Sequence, residues 1–569
     1  MDIRPFRAIM PPLMKHYSIS LKDNLAARVA LLLAAILMTA CNATPTSDPV
    51  VVGVTSGPGD MPIPTSASTN TPSPKTPTPT LATRPTFTPT SLSPDDVSSG
   101  DTTTPTPTQT PPPTDTPTPK PTASSGMKIS ATDGEVKVYE TTITLPTYPI
   151  RDYLTEQVDP VYNIPVYYFE RQAFESDQPT PTPTDYTGVV LENPYLRLTF
   201  LPELGGRLYS AVVKSTGQEI FYHNQVVKPS RYGILEPYEA NWWLATGGMD
   251  WAYPTQEHGY RFGVPWDYEV TQTNEGATIT LSDIAPDRVG VEVQITLSAD
   301  SAVFTVKPKL TNATDDTVPV QFWLNAALAL APDTMSPNTQ FIVPTDKITV
   351  HSRGENGWDV PGELEESSWP RVGKTDLSDY GQWANYLGFF VPNMEAPFMG
   401  AYNPDTNLGV VRLVEPSTVP GNKLFAFGPA FPDRSYTDDD SQYFEIWGGA
   451  NTGFWPEDDI SVPAGGTLQW QESWWPLAEL GGITWANEHA AIHLRQSSDT
   501  YHLSLLVSRP QQGKLIVSAG ETTILTESFS ADPAIPLQLD FAISDTPVRV
   551  QIIDGNVTLL DYCTDCQEK

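Results

Sequence analysis

The sequence predicts an all-β protein, with a large two-sheet sandwich body followed by a smaller sandwich. Three observations carry that expectation. Apolar residues alternate with polar ones, as in Leu196, Leu198 and Phe200, and again in Val291, Val293, Ile295 and Leu297. Successive side chains of a strand point to opposite faces, so this pattern marks strands with one buried face. Turn signals such as Asn193-Pro194, Asn274-Glu275-Gly276 and Asn403-Pro404-Asp405 separate the runs. No segment keeps a 3.6-residue apolar period between helix caps. About 350 residues of such short strands need more than one sheet to bury their apolar faces.

The 569 residues divide by composition into four segments. Residues 1–40 read as an export leader, with Arg4, Arg7, Lys15, Lys22 and Arg28 preceding the apolar run VALLLAAILMTA. That run is shorter than the roughly twenty residues a spanning helix needs. Leu37-Met38-Thr39-Ala40-Cys41 resembles a lipobox, with Met38 where leucine is usual. The expectation is a lipidated Cys41, membrane attachment through it, and an exported chain on the outer face of the bacterial cell membrane. Residues 41–128 are rich in Thr, Pro and Ser and poor in large apolar side chains. Such a stretch offsets little of its ordering entropy and reads as a disordered, semi-rigid stalk.

Residues 129–484 form the expected large sandwich, and 485–569 the small one. In the latter, 502–505, 514–517, 537–539 and 548–552 read as strands, and Asp554-Gly555-Asn556 as a hairpin turn. This spacing suggests an immunoglobulin-like sandwich. The tail carries Cys563 and Cys566. A single CxxC lacks the second ligand pair of a zinc site, which leaves a disulfide or two free thiols. No metal or cofactor is expected.

Charge narrows the function classes. There are 33 basic and 67 acidic side chains, a formal net charge of −34, which argues against a nucleic-acid partner. The 3 cysteines exclude a disulfide-rich scaffold. The aromatic content points elsewhere: Trp242-Trp243, Trp251 and Tyr253, Trp266 and Tyr268, and Trp474-Trp475 cluster. Trp and Tyr present an apolar face with a polar tip, which suits the C–H face of a sugar ring, although a β core also uses them.

Four stretches concentrate polar groups among these aromatics. The Gly205-Gly206-Arg207 break lets Arg207 face a cleft, or serve in a structural ion pair. TGGMDWAYPTQEHGYRFG (246–263) gathers Asp250, Trp251, Glu257, His258 and Arg261. The strand pair at 306–330 carries Trp323 and Asn325. Finally, Glu445 sits among Phe444, Ile446 and Trp447, alternating out of the apolar face into either a cleft or solvent. Desolvation in a cleft would raise its pKa toward general-base use.

These stretches resemble a bacterial family known as domain of unknown function 5107, with a galactose-mutarotase-like fold. The resemblance runs in order through YETTITLPTYP (139–149), LENPYLRLTFLPELGGRLYS, GGMDWAYP with His258, NTQFIVPTDKITVHSRG (338–354), the run 437–448 and QESWWPLAELGG (471–482). It implies a galactose-mutarotase-like β-supersandwich and a carbohydrate ligand. Aldose mutarotases pair a carboxylate base with a histidine acid. If the protein is an enzyme, the residues offer Glu445 or Asp250 as base and His258 as acid. The resemblance places Glu445 near the expected base and makes His258-Gly259-Tyr260-Arg261 similar to a substrate-binding His-Gly-Phe-Ala-Arg. The candidate binding residues are Arg207, Trp251, Arg261, Trp323, Asn325 and Trp447. Ala326 falls at the expected place of the mutarotase acid histidine, which argues against mutarotase activity. Two functions remain open beside simple carbohydrate binding: a glycosidase, lyase or epimerase, and an adhesive envelope protein. The oligomeric state is not legible.

Overall fold

The computed structural model describes residues 136–230, 242–355, 357–428, 436–542 and 547–564. The expected leader, Cys41, the stalk and Cys566 lie outside the described residues.

Alternation translates into strands where it was expected. Leu196–Leu201 and Val289–Ser298 are strands, with Leu198, Phe200, Val291, Val293 and Ile295 fully buried. The Asn193 turn holds through its side chain, which accepts from the Tyr195 and Leu196 amides and donates to the Ser298 and Ser301 carbonyls. The α-helix among the described residues is a short piece, Arg171–Asp177.

Two large sheets organise the body. Nine of their strands position the features discussed below: β1 (Arg207–Val213), β2 (Leu244–Ala252), β3 (Trp323–Leu328), β4 (Lys347–Arg353), β5 (Leu387–Phe390), β6 (Leu408–Leu413), β7 (Gly421–Ala426), β8 (Phe444–Gly449) and β9 (Glu472–Ala478). Among the described residues the first sheet has 13 strands and runs β4-β5-β7-β8-β3-β2 through its centre. The second has 9 strands and pairs β6 with β9. Leu208, Met249, Leu324 and Ile446 of the first sheet share one apolar core with Val293, Phe304, Val410 and Trp474 of the second. The sheets therefore pack face to face, each giving one face to the core.

One cluster of charge crosses that core. Arg412 of β6 is fully buried and donates through Nε (3.0 Å) and Nη2 (2.6 Å) to Glu472 of β9. Its Nη1 reaches Asn422 of β7, and Trp474 Nε1 donates to the other Glu472 oxygen at 3.0 Å. The guanidinium lies against Gly448 of β8, where a Cβ would come within 2.4 Å of it. Only glycine admits this approach.

Residues 485–564 add two further sheets, each with 4 strands among the described residues. The runs expected from alternation fall in Thr500–Val507, Gln511–Ala519, Leu537–Ala542 and Val548–Asp554. Asp554 pairs with Val557, so Gly555-Asn556 is the two-residue turn. Cys563 is disulfide-bonded. These sheets have their own core around Ile492, Leu503, Val517 and Ile552. A separate apolar cluster joins them to the second large sheet: Phe398, Val411, Trp475 and Leu477 pack with Ala486, Ala491 and Leu506.

Candidate functional site

Antiparallel pairing sets opposed residues on the same face, so register alone builds this site. Asp250 of β2 lies opposite Asn325 of β3, and Asn325 lies opposite Trp447 of β8. Trp447 lies opposite Lys423 of β7, and Lys423 opposite Phe390 of β5. Five side chains thus form one row across five strands, spanning about 19 Å at the usual strand spacing. The next row on the same face is Gly248, Ala327, Glu445 and Phe425. The intervening residues Met249, Ala326, Ile446 and Leu424 point the other way, into the core.

Glycine bends β2 into place. Gly247 and Gly248 take φ of 90° and 74°, and a Cβ at either would lie within 2.0 and 2.6 Å of the Tyr222 and Leu208 carbonyl oxygens. The strand can approach its neighbours this closely only without side chains there. Arg207 at the start of β1 donates to the Gly247 carbonyl (2.7 Å) and to Asp250 Oδ2 (3.1 Å).

The loop after β2 brings in His258. Its Nδ1 stands 3.8 Å from Asp250 Oδ2, within ion-pair range but beyond a hydrogen bond. The imidazole stacks on Trp243 at 4.8 Å, nearly parallel, and meets the edge of Trp447 at 5.1 Å. Trp447 Nε1 in turn donates to Glu445 Oε2 at 2.8 Å. The same loop carries Glu257, whose carboxylate lies 3.2 Å from His351 Nε2 on β4.

These groups are buried, between 3% and 7% exposed for Asp250, His258, Asn325, Lys423 and Glu445. Burial dominates their electrostatics and is resolved differently by their neighbours. Burial would raise the Asp250 carboxyl, but the Arg207 charge and His258 hold it below the ordinary value. Glu257 is likewise held low against burial, by His351, Lys423 and His258. Glu445 goes the other way: burial raises it, and Lys423, His258 and the Trp447 N–H only partly compensate. Burial depresses the Lys423 ammonium, with Glu257 and Glu445 pulling it back up. Two carboxyl groups with pKa values pushed apart can take separate acid and base roles on one face.

Several buried polar atoms here have no hydrogen-bond partner: Asp250 Oδ1, His258 Nδ1, Asn325 Oδ1, Arg207 Nε and His351 Nδ1. Buried polar groups in folded proteins are almost always paired, so these five atoms leave hydrogen-bonding capacity on this face that the protein itself does not fill.

The structure thus brings together Arg207, Asp250, His258, Asn325, Glu445 and Trp447, and sets Trp323 at the edge of the same face. Trp323 is fully buried, bonded to Gln321 Oε1 at 3.1 Å and packed edge-on to Phe454 at 4.9 Å. Two residues expected to bind are placed elsewhere. Trp251 is one position out of phase with Asp250, so it points into the core and donates to the Gly206 carbonyl at 2.9 Å. Arg261 is committed to Asp283 at 2.7 Å, an anion it shares with Arg288. Its guanidinium instead borders a separate pocket of about 420 Å³, with Tyr167, Trp242 and Tyr260, which touches none of Asp250, His258 and Glu445.

Ala326 needs the same correction. It lies on the core face, so a histidine at that position would be directed away from Asp250 and Glu445. Asn325 is the neighbour that faces them.

Lys423 and His351 were not singled out from sequence, and Glu257 and Trp243 were named there only as members of clusters, without a role. Glu257 had the signal of adjacency to His258, and His351 lies within the resembling stretch 338–354. Lys423 had none, since only the β7–β8 register reveals its position.

Comparison with known proteins gives the following. A TPR-domain containing protein from Parabacteroides distasonis matches with 22% identity over 60% of this chain, TM-score 0.48. This chain spans only 55% of that protein's length. A galactose mutarotase-like protein from Clostridium acetobutylicum matches with 10% identity, covering 52% of this chain and 96% of its own, TM-score 0.38. A putative aldose 1-epimerase from Klebsiella pneumoniae matches with 11% identity, covering 60% and 92%, TM-score 0.37. The model of the family described as domain of unknown function DUF5107 matches residues 160–464, which is more than half of the sequence and includes every strand of the Asp250–Phe390 row. The chain belongs to the DUF5107 family.

Proposed function

We propose that this protein binds a carbohydrate on the face carrying Asp250, Asn325 and Trp447. The observation that supports it best is the set of orphaned polar atoms beside the Trp447 and Trp243 rings. A sugar supplies what that face lacks: hydroxyl donors for Asp250 Oδ1 and Asn325 Oδ1, acceptors for Arg207 Nε, and a C–H face for an aromatic ring. We further propose a galactose-mutarotase-like β-supersandwich over 129–484 and an immunoglobulin-like sandwich over 485–569. Lipidated Cys41 would tether the exported protein to the outer face of the membrane through the 41–128 stalk. Labelling with a radioactive fatty acid in a bacterial host tests the anchor, and C41A should abolish incorporation.

Calorimetric titration and a glycan array test the ligand. Binding to at least one glycan, weakened at least tenfold by D250N or N325A, is the expected result. Absence of binding across plant, microbial and host glycans would reject it.

A second reading, an enzyme acting on extracellular sugars, is favoured by one observation: Asp250 and Glu445 are displaced in opposite directions. Glu445 is then the carboxyl able to exchange a proton, Asp250 the fixed anion, and His258 the partner that stands 3.8 Å from Asp250. Turnover of an oligosaccharide that survives E445Q, D250N and H258A unchanged would exclude it.

A further inference from the structure

The row contains a cation that its surroundings do not satisfy. Lys423 is 3% exposed, and its Nζ lies 4.3 Å from the Trp447 ring centroid, 5.0 Å from Phe454 and 5.8 Å from Phe425. Among the described residues it makes no hydrogen bond and no ion pair within 4 Å. The two nearby carboxylates are engaged otherwise, Glu257 with His351 and Glu445 with the Trp447 indole. Aromatic rings attract an ammonium but accept none of its three N–H bonds in the way an oxygen does. A buried charge left in this condition is costly, and an anionic ligand would offset that cost.

We propose that Lys423 anchors an anionic substituent of the ligand, so that this face takes an acidic pyranose, carboxylated or sulfated, in preference to its neutral parent. The inference rests on the carbohydrate reading above. Lys423 lies two strands from Asn325, about 10 Å at the backbone. That separation is comparable to the length of a six-membered ring carrying an exocyclic anion. Asn325 and Asp250 accept ring hydroxyls at one end, and the ammonium meets the anion at the other. In a water-poor site a charge-assisted bond outweighs a neutral one, which makes the anion the preferred group.

The test uses the purified full chain on an array of matched neutral, uronate and sulfated sugars, followed by calorimetry of the best acidic ligand and its neutral parent. The acidic member should bind at least tenfold tighter in wild type. K423M should reduce the preference below threefold, and K423R should keep most of it. Thermal melting of K423M should be unchanged or higher, because methionine fills the aromatic cage without a buried charge. The better of uronate and sulfate identifies the source of the anion. Equal binding of neutral and acidic partners, or a preference that survives K423M, overturns this inference and leaves carbohydrate binding standing. Binding to no sugar overturns both.

Discussion

Two buried charge clusters lie on opposite sides of the first large sheet, and they are built to different standards. On the core face, Arg412, Glu472, Asn422 and Trp474 close on one another, and none of their side-chain atoms is orphaned. On the other face, Asp250, His258 and Asn325 are also buried but only partly paired. Burial alone therefore does not distinguish the two clusters; hydrogen-bond satisfaction does. A network that is complete without a ligand holds sheets together, and an incomplete one is arranged for something else to finish.

The largest expected effect falls on the complete cluster. Arg412→Ala leaves Glu472 buried without its cation and should cost about 3–5 kcal/mol in urea unfolding. A loss below 1 kcal/mol would break the contrast between the clusters. Asp250→Asn follows, at about 2–3 kcal/mol, because it strips Arg207 of its anion but keeps a hydrogen-bonding side chain in place. Unlike the Arg412 change, it should also remove ligand binding from the fraction that remains folded.

Acid titration sharpens the comparison within the site. Asp250 and Glu257 have folded pKa values below their ordinary 3.8 and 4.5. The stability they contribute is complete above those ordinary values and is lost as pH falls through the lower folded ones. Glu445 has the opposite sign, since burial raises it above 4.5. Its cost to stability is absent below 4.5, grows as pH rises, and is complete above its folded value. Glu445→Gln should therefore stabilise the protein at pH 7 and leave stability below pH 4 unchanged. A thermal melt of the two proteins at both pH values decides it, and destabilisation at pH 7 would contradict the assignment. The smallest effect is expected for Trp251→Phe, which forfeits one indole hydrogen bond, about 1 kcal/mol. It should leave sugar binding intact, because Trp251 faces the core.

Strands and turns were the legible part of this sequence. Period two at 196–200 and 289–298 places residues on a face without knowledge of any partner strand. The same rule, applied to β2, would have excluded Trp251: Asp250 and Trp251 are adjacent, so they cannot share a face. Arg261 was illegible for another reason. Its partner Asp283 is 22 residues away on a separate strand, and only pairing brings them together. Lys423 is the extreme case, an isolated lysine in an otherwise ordinary strand, whose burial is set by Trp447 across the sheet and Phe454 beyond it. Roles that depend on local spacing could be read in advance, whereas those created by long-range register could not.

The apolar cluster shared between the second large sheet and residues 485–507 bears on how this protein can be cut and recombined. Strand β9 turns Glu472 and Trp474 toward one core and Trp475 and Leu477 toward the other. A chain ending at residue 484 would keep its fold-defining pairs yet expose Phe398, Val411, Trp475 and Leu477 as a contiguous greasy surface. Such a fragment should self-associate on size-exclusion chromatography. The C-terminal sheets then act as a cover over this apolar surface, and grafting the body onto another scaffold requires carrying that cover along.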